Sequence, residues 1–333
     1  MKTSFTTLLG LAAPIMQAPI GNAAAPELAA AVANAGALGS VTGWVVSPAR
    51  AVELYRASRK LTDGAVSINF RADLDIGSHL AAVLDSGARL IHLFWGDPTP
   101  YAGAVHDSGA VLLCTVADAD EAKRALDVGA DILIAQGWEA GGHVRGRLTT
   151  LALVPTVVDL AGDVPVLAAG GVVDGRRLAA SLVLGAAGVV MGTRFVACNE
   201  ASAHPDYKRA VVAARQTDAV YLENLFDGGW PAAPHRVLRN STVRAWEAGG
   251  RAEPGPRPDE GSVIAFRADG KPIQRYSSAL PVVGMTGGVE ALAQYAGQGV
   301  EQINDIQSAR EIIEFVMQEA REALARGSRF VAG

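Results

Sequence analysis

Residues 165–193 read PVLAAGGVVDGRRLAASLVLGAAGVVMGT and contain two short apolar runs, at 165–170 and 188–193, that each end at a glycine turn. A stretch of helical periodicity, which ends at Gly185, separates the two runs. Each run has the length of a buried strand and lacks strict alternation of polar and apolar residues, as expected for parallel strands covered by helices. The stretch therefore predicts one strand, helix and strand unit of a parallel sheet.

The same unit recurs along the preceding part of the chain. Pro26 opens a helix that ends near Gly36, and Asp118 opens another that ends before Gly129, which are typical start and stop residues. Eight strand and helix units predict an α/β fold of the (β/α)₈ TIM barrel type, with an open doubly wound sheet as the alternative. The six earlier strands are predicted at 14–20, 38–43, 64–70, 89–95, 110–116 and 131–136.

The regular alternation stops after the eighth predicted strand. The following segment holds a predicted helix at 205–215 and runs rich in glycine, proline and charge. Further on, Ser308 and Glu311 have the spacing of a capping box at the start of a final helix. These features predict a barrel formed by 1–200 and 276–333, with a smaller, mainly helical lobe inserted at 201–275.

Composition argues against several classes of protein. The 333-residue chain is 50% hydrophobic, and its net charge of −5 comes without a basic stripe, so nucleic acid is not an expected partner. No uncharged apolar run is long enough to predict a membrane span. Cys114 and Cys198 form no disulfide framework and the N-terminus lacks a signal pattern, so we expect a cytoplasmic protein. The oligomeric state is left open, with a homodimer as one option.

The carboxyl ends of barrel strands are where functional groups gather in this fold. None of the five lysines lies at such an end, which argues against Schiff-base chemistry. Asp97, Glu139 and His143 are too scattered in the sequence to indicate a dedicated metal site, so no metal is predicted. The strand ends offer mainly backbone, amides and one histidine.

Glycine-rich turns follow the last two predicted strands. At Gly170-Gly171 and Gly192-Thr193, main-chain N–H groups can approach a phosphate, with the Thr193 hydroxyl as a further donor. The alternative is that these glycines only form tight turns. The amides of Asn69 and Gln136 suit the donors and acceptors along the edge of an isoalloxazine ring, the alternative being satisfied core amides.

His143 follows Gly141-Gly142 on a predicted turn over the barrel mouth. An imidazole there can transfer a proton near neutral pH or hold a substrate anion, the alternative being a surface histidine. His92, inside the fourth predicted strand, is interpreted as a core residue. The sequence therefore predicts His143 as the reactive side chain.

Several blocks of this sequence resemble the nitronate monooxygenase family. They are Gln136-Gly137-Trp138-Glu139-Ala140-Gly141-Gly142-His143, 168–171 and 191–195, together with the opening Gln17-Ala18-Pro19, the strand at 67–70 and the late block at 295–299. The likeness covers most of the chain. A family of flavin enoyl-acyl-carrier-protein reductases is similar too, because it shares the Glu-Ala-Gly-Gly-His motif.

The resemblance implies an FMN enzyme that oxidises alkyl nitronates with O₂ to a carbonyl compound and nitrite. It implies His143 as the catalytic residue, and His143 and Tyr295 as contacts of the nitronate or nitroalkane. The implied FMN contacts are Met16, Gln17, Ala18, Asn69, Gln136, Gly141, Gly142, Gly170, Gly171, Met191, Gly192 and Thr193.

Two alternative functions are also compatible with the sequence. An NAD(P)H-dependent FMN reductase of enoyl thioesters or quinones would keep the flavin and change the reaction. A phosphate-binding protein without turnover is disfavoured, because His143 and the amides go beyond what holding a phosphate requires.

Overall fold

A parallel eight-stranded sheet forms the centre of the computed structural model. The structure describes residues 1–330, and the last three residues of the predicted segment 276–333 lie outside the described residues. The strands are β1 (Ile15–Gln17), β2 (Gly39–Thr42), β3 (Val66–Arg71), β4 (Leu90–Phe94), β5 (Val111–Val116), β6 (Ile132–Gln136), then a two-residue strand outside the sheet, β7 (Gly142–His143), and β8 (Val166–Ala169) and β9 (Gly188–Met191). Each of the eight overlaps a predicted strand.

The sheet closes on itself. Its strands pair in the order β1, β9, β8, β6, β5, β4, β3, β2, and every neighbouring pair is parallel. A parallel bridge between Met16 and Leu38 joins the two ends, because Leu38 N donates to Ile15 O and Gln17 N donates to Leu38 O, both at 2.9 Å. The predicted TIM barrel is confirmed.

Helices cover the outside of the barrel, as the sequence predicts. The helices are α1 (Ser4–Leu9), α2 (Pro26–Asn34), α3 (Pro48–Leu61), α4 (Gly77–Asp85), α5 (Thr99–Asp107), α6 (Ala119–Asp127), α7 (Thr150–Ala161), α8 (Gly175–Val183), α9 (Thr193–Val196), α10 (Pro205–Ala213), α11 (Ser241–Ala248) and α12 (Ala309–Ser328). The predicted Ser308–Glu311 capping box is formed, and α12 packs against α8 and α2. Short 3₁₀ helices lie at Gly21–Ala23, Gln216–Asp218, Val289–Ala291 and Val300–Gln302.

The barrel has an inner and an outer core. The outer core fills the space between strands and helices, and a separate cluster inside the strands consists of Phe5, Met16, Leu38, Leu90, Leu113, Ile132, Ile134, Leu167, Ala169, Ala187 and Val190. Phe5 comes from α1, a helix that the sequence analysis did not predict and that Thr3 and Thr6 begin with a capping box. This helix therefore contributes an aromatic side chain to the barrel interior. No helix within residues 1–330 has the length and apolar character needed to cross a bilayer.

The lobe differs from the prediction of a mainly helical insertion. Besides α10 and α11, residues 201–275 form the strands β10 (Ala219–Leu222), β11 (His235–Leu238), β12 (Val263–Phe266) and β13 (Pro272–Gln274), and β14 (Thr286–Gly287) follows. These strands have two to four residues between glycine- and proline-rich turns, which is too short to show a strand period in the sequence. The lobe is therefore corrected to a mixed α and β structure.

The lobe is built into the barrel through shared sheets. Its first antiparallel sheet has the order β10, β11, β7, so a piece of the loop after β6 becomes its edge strand. In that pairing His143 lies opposite His235, and Gly142 lies opposite Arg236. The second sheet, β13, β12, β14, packs on its own apolar cluster. The predicted His143 turn is thus held as a strand.

Candidate active site

A cavity of about 570 Å³ lies at the carboxyl ends of the barrel strands, with lobe residues forming part of its wall. Its volume is in the range of cofactor and small-molecule sites. The lining contains residues of the lobe, such as Trp230 and Arg267, as well as residues of the segment that follows it, such as Leu280. It also contains ten of the predicted site residues, namely Ala18, Gln136, Gly141, Gly142, His143, Gly170, Gly171, Gly192, Thr193 and Tyr295.

The other predicted contacts, Met16, Gln17, Asn69 and Met191, are buried and are not among the residues that line the cavity. The two methionines belong to the apolar core clusters. The amide oxygen of Gln17 accepts a hydrogen bond from the Ser40 N–H at 2.9 Å, which ties β1 to β2. These side chains, which come from β1, β3 and β9, therefore stabilise the strands around the cavity and do not line it.

Some buried polar atoms without a partner belong to residues that line this cavity or are paired with one that does. Within residues 1–330 they include Oδ1 of Asn69, Nδ1 of His92 and Nε2 of His143. An unpaired buried polar atom costs on the order of 1 to 3 kcal/mol. The Asn69 amide nitrogen donates to the His92 carbonyl at 3.2 Å, so its oxygen is left as an acceptor. A flavin ring edge, which carries both donors and acceptors, fits this donor and acceptor set.

Glycine conformations shape the turns after β8 and β9. Gly170 and Gly171 have φ of 111° and 68°, values that side chains disfavour. A Cβ on Gly170 would lie 2.8 Å from Thr150 Oγ1. Thr193 opens α9, where the first N–H groups have no partner within the helix, and its hydroxyl accepts from Gly297 N at 3.0 Å, which leaves its own proton free to donate. These turns present bare backbone to the cavity.

Glu139, in the motif after β6, has a positioning task. One of its carboxylate oxygens accepts from Thr150 N at 2.8 Å and lies 3.0 Å from Thr150 Oγ1. The same hydroxyl lies 3.0 Å from the Gly170 carbonyl oxygen. The carboxylate thus connects the His143 segment to the glycine turn after β8. No group of three or more metal-ligating side chains that could hold an ion is found in the described chain.

Arg236 fixes the same segment from the side of the lobe. Its buried guanidinium donates to the carbonyl oxygens of Trp138 at 2.7 Å and Ala140 at 3.1 Å, and it packs over the Trp138 ring at 4.4 Å. Burial lowers the pKa of Arg236 from its ordinary value. The local signal for this role is weak in the sequence, because the arginine and its partners lie almost one hundred residues apart.

His143 is half-buried and packed among aromatic rings, so it is not an exposed surface histidine. Its ring stacks on Trp230 with 3.8 Å between centroids and lies 5.3 Å from the Tyr295 ring. Burial, followed by the charges of His235 and Arg71, lowers the pKa of His143 well below its usual range. The imidazole is therefore uncharged at neutral pH, and its Nε2 has no hydrogen-bond partner within residues 1–330.

Tyr295 lines the cavity, but its hydroxyl group donates its hydrogen bond within the protein. The phenol donates to the Ser278 carbonyl at 3.0 Å, and burial raises the pKa of Tyr295 above its ordinary value. The hydroxyl proton is therefore already in use. The ring packs beside His143 and forms part of the cavity wall.

His92 and the aromatic side chains of the cavity wall were not predicted from the sequence as parts of the site. His92 lines the cavity, its Nε2 lies 2.7 Å from Thr115 Oγ1, and burial lowers its pKa to about 3. Its register partner is Asn69 on the next strand, so strand pairing was the signal that would have placed it at the site. Trp44 and Trp230 come from irregular segments and carried no such signal.

Comparison with known proteins identifies relatives that match most of the chain. The family model described as nitronate monooxygenase matches residues 2–77 and 76–319. A nitronate monooxygenase from Pseudomonas aeruginosa is 32% identical, and the match covers 96% of this chain and 100% of the relative. The structure of FabK from Thermotoga maritima has a TM-score of 0.83 and 30% sequence identity, and the match covers 99% of both chains.

One further relative has a different printed activity. A (3aS,4S,5R,7aS)-5-hydroxy-7a-methyl-1-oxo-octahydro-1H-indene-4-carboxyl-CoA dehydrogenase from Mycobacterium tuberculosis is 34% identical, with 81% of this chain and 74% of the relative covered. The family model and the relatives together cover the barrel, the glycine turns and the His143 segment. The chain belongs to the nitronate monooxygenase family and is a flavin-dependent oxidoreductase with a TIM barrel.

Proposed function

We propose that the protein oxidises alkyl nitronates with O₂, giving a carbonyl compound and nitrite, and that its flavin is FMN. The observation that carries the proposal is the half-buried, uncharged His143, which has an unpartnered Nε2 and lines the same cavity as the two glycine turns. The full-length similarity to the Pseudomonas aeruginosa nitronate monooxygenase supports it.

The choice of FMN follows from the turns after β8 and β9. Gly170, Gly171, Gly192 and Thr193 offer main-chain N–H groups and one hydroxyl to a terminal phosphate. Asn69 and Gln136 would meet the polar edge of the ring. When bound, the flavin supplies the electron acceptor for the nitronate and passes the electrons to O₂.

Oxidation of a nitronate requires little chemistry from the residues of the chain. A nitronate is already a stabilised carbanion, so it needs an orienting donor and a dry cavity rather than a base. The uncharged imidazole of His143 can hold the anion through an N–H, and Trp44 and Trp230 exclude water around it. With a neutral nitroalkane, Nε2 of His143 would take the α-proton as a general base.

Nitrite release is the direct test. Purified protein loaded with FMN is mixed in air with a preformed alkyl nitronate, without nicotinamide, and nitrite is measured against time. We expect turnover that depends on flavin and O₂. Absence of nitrite from a series of nitronates of increasing chain length would contradict the proposal. Equal nitrite release by flavin-free protein would also contradict it, because the reaction would then not depend on flavin bound in the cavity.

A second candidate keeps the flavin and uses NAD(P)H to reduce the carbon–carbon double bond of an enoyl thioester, or a quinone. It is favoured by the relative named as a carboxyl-CoA dehydrogenase and by Arg267, an exposed cation in the cavity lining. Anaerobic mixing separates the two candidates, because each predicts a different reductant for the flavin. Fast bleaching by nitronate with slow bleaching by NADH or NADPH supports the oxidase, and the reverse supports the reductase.

A further inference from the structure

Trp230 is the centre of an aromatic cluster that joins the lobe to the barrel mouth. Its indole stacks on the His143 imidazole, with 3.8 Å between ring centroids and 25° between the ring planes. The guanidinium carbon of Arg71 lies 3.5 Å from the centroid of the same indole. Two groups cannot both lie this close over one face, so the guanidinium and the imidazole cover opposite faces of Trp230.

Arg71 is held in this place by two neighbours. Its Nε and Nη2 donate to the two carboxylate oxygens of Asp73, at 2.9 Å and 2.6 Å. The Trp44 ring lies 4.9 Å from the guanidinium carbon and meets Trp230 edge to face. Because Arg71 is only 6% exposed, little water screens its charge. An oriented, buried cation therefore backs the ring on which His143 lies.

We propose that Trp230 and Arg71 are positioning residues for His143: the indole fixes the plane of the imidazole, and the cation behind the indole keeps the imidazole uncharged. The inference rests on the proposed function, in which an uncharged His143 takes a proton from substrate. A purely structural stack would attach the lobe to the barrel and leave the charge state of His143 unaffected.

The causes of the altered titration of His143 agree with this role. Burial lowers the pKa of His143 most, and Trp230, which is 5% exposed, covers one face of the ring. The charges of His235 and Arg71 lower the pKa further. His235 lies opposite His143 across the β7 and β11 pair, with 5.7 Å between the rings.

The other titratable groups around this stack are either neutral or contact a neighbour of His143 and not His143 itself. Tyr295 remains a neutral phenol because burial raises its pKa. Asp73 forms an ion pair with Arg71, and Asp227 acts on His235, whose pKa it raises against the larger effect of burial. Arg71 is therefore the fixed charge closest to His143 on the far side of the indole.

The test follows the titration of His143 directly. The flavin-bound protein, labelled on its histidine rings, is titrated by NMR, and His143→Asn identifies the signal of this residue. Arg71→Gln removes the charge, while Arg71→Lys retains it without the planar stack. We expect the midpoint of His143 to move upward in Arg71→Gln and to remain near the parental value in Arg71→Lys.

Trp230 variants test the larger cause. Trp230→Ala admits water to the imidazole, so its midpoint should move upward more than in Arg71→Gln, and Trp230→Phe should restore most of the parental behaviour. The acid limb of the rate with neutral nitroalkane should move upward with the midpoint. Loss of the fixed ring plane should also lower this rate on the order of 10-fold to 10²-fold in Trp230→Ala.

A second arginine and tryptophan pair provides the control. Arg251 lies over the Trp246 ring at 5.8 Å, neither residue lines the cavity, and Arg251→Gln should leave the midpoint of His143 unchanged. Unchanged midpoints in both Arg71→Gln and Trp230→Ala would overturn the proposal. The titration midpoint of His143 is measured without turnover. A failure to release nitrite would therefore refute the proposed function, but the effect of Trp230 and Arg71 on His143 could still be measured.

Discussion

Two walls of one cavity are built in different ways. The wall at the ends of β8 and β9 is backbone, shaped by the glycines of two turns that follow adjacent strands. The wall toward the lobe consists of large side chains, Trp44, His143, Trp230 and Tyr295, which come from four distant parts of the chain. The difference indicates that binding and chemistry are separable here. Changes in the backbone wall should cost flavin, and changes in the side-chain wall should cost turnover.

The largest effect is expected from His143→Asn in the side-chain wall. Asparagine keeps a hydrogen-bond donor but removes the group that accepts the α-proton. We expect flavin to stay bound, nitronate oxidation to fall modestly, and turnover of neutral nitroalkane to fall on the order of 10²-fold to 10⁴-fold. Steady-state nitrite assays with both substrates, together with the flavin absorbance of the purified variant, measure the outcome.

The control for this variant is His106→Asn, because that histidine is partly exposed and not among the residues lining the cavity. It should behave like the parent with both substrates. If His143→Asn loses its flavin instead, the histidine belongs to the binding wall and the separation of the two walls breaks down. If the variant turns over both substrates as fast as the parent, His143 is not the general base.

The backbone wall is also the part of the site that the sequence predicts well. Strand and turn are local features, so Gly170, Gly171, Gly192 and Thr193 could be assigned to strand ends from apolar runs and glycine positions alone. The barrel follows from the same signals, because eight strand and helix units have few other ways to bury their apolar faces. The helix α1 was missed because it lies outside this repeating pattern.

The side-chain wall was predicted only in part. His143 was found through its motif, yet its partial burial, its strand pairing and its contact with Trp230 depend on a lobe whose strands carry no readable period. His92 was interpreted as core because nothing in one strand reports what the neighbouring strand places beside it. Long-range packing decides this wall, and a single sequence contains little information about it.

Arg236→Met tests the junction between the two walls. The substitution keeps much of the side-chain volume but removes the donors to the Trp138 and Ala140 carbonyls. We expect the free energy of unfolding to fall by about 3 kcal/mol, since buried carbonyls lose charged partners. Denaturant unfolding measures this loss, and flavin affinity and turnover should decline together because both walls depend on this segment.

A surface arginine is the matched control. Arg209 pairs with Asp206 on α10 and is largely exposed, so Arg209→Met should change the free energy of unfolding by less than about 1 kcal/mol. Equal losses in the two variants would mean that charge, and not the buried hydrogen bonds, accounts for the effect of Arg236.

Gly170→Ala tests the backbone wall by itself. Gly170 has φ of 111°, and an added Cβ would lie 2.8 Å from Thr150 Oγ1, so the turn must shift. Strain of this kind costs on the order of 1 to 3 kcal/mol, and we expect flavin affinity to fall on the order of tenfold. Fluorescence titration with FMN measures the affinity, and saturating FMN should restore the turnover of nitronate.

Gly255→Ala is the control for backbone strain. Gly255 has a similar φ of 114° with no atom within 4 Å of an added Cβ, and it is not among the residues lining the cavity. This variant should lose some stability and keep the parental affinity for FMN. A Gly170→Ala protein that binds FMN normally but turns over slowly would reverse the assignment of the two walls.

The smallest effect concerns the acid stability that the side-chain wall confers. Burial lowers the pKa of His92 to about 3, and it also lowers the pKa values of His143 and His235. In the unfolded chain each imidazole titrates near 6.5, so below this pH the unfolded state binds more protons than the folded state. The stability due to the uncharged rings is complete above about pH 6.5 and is lost as the pH falls toward the folded-state values.

Denaturant unfolding between pH 7 and pH 5.5 isolates this contribution, because few carboxylates titrate there. Each buried histidine should add a slope of up to about 1.4 kcal/mol per pH unit below its unfolded-state pKa. His92→Gln should therefore reduce the total slope by the contribution of one buried histidine. If the slope in His92→Gln equals that of the parent, His92 is solvated in the folded protein, and the side-chain wall is wetter than its packing indicates.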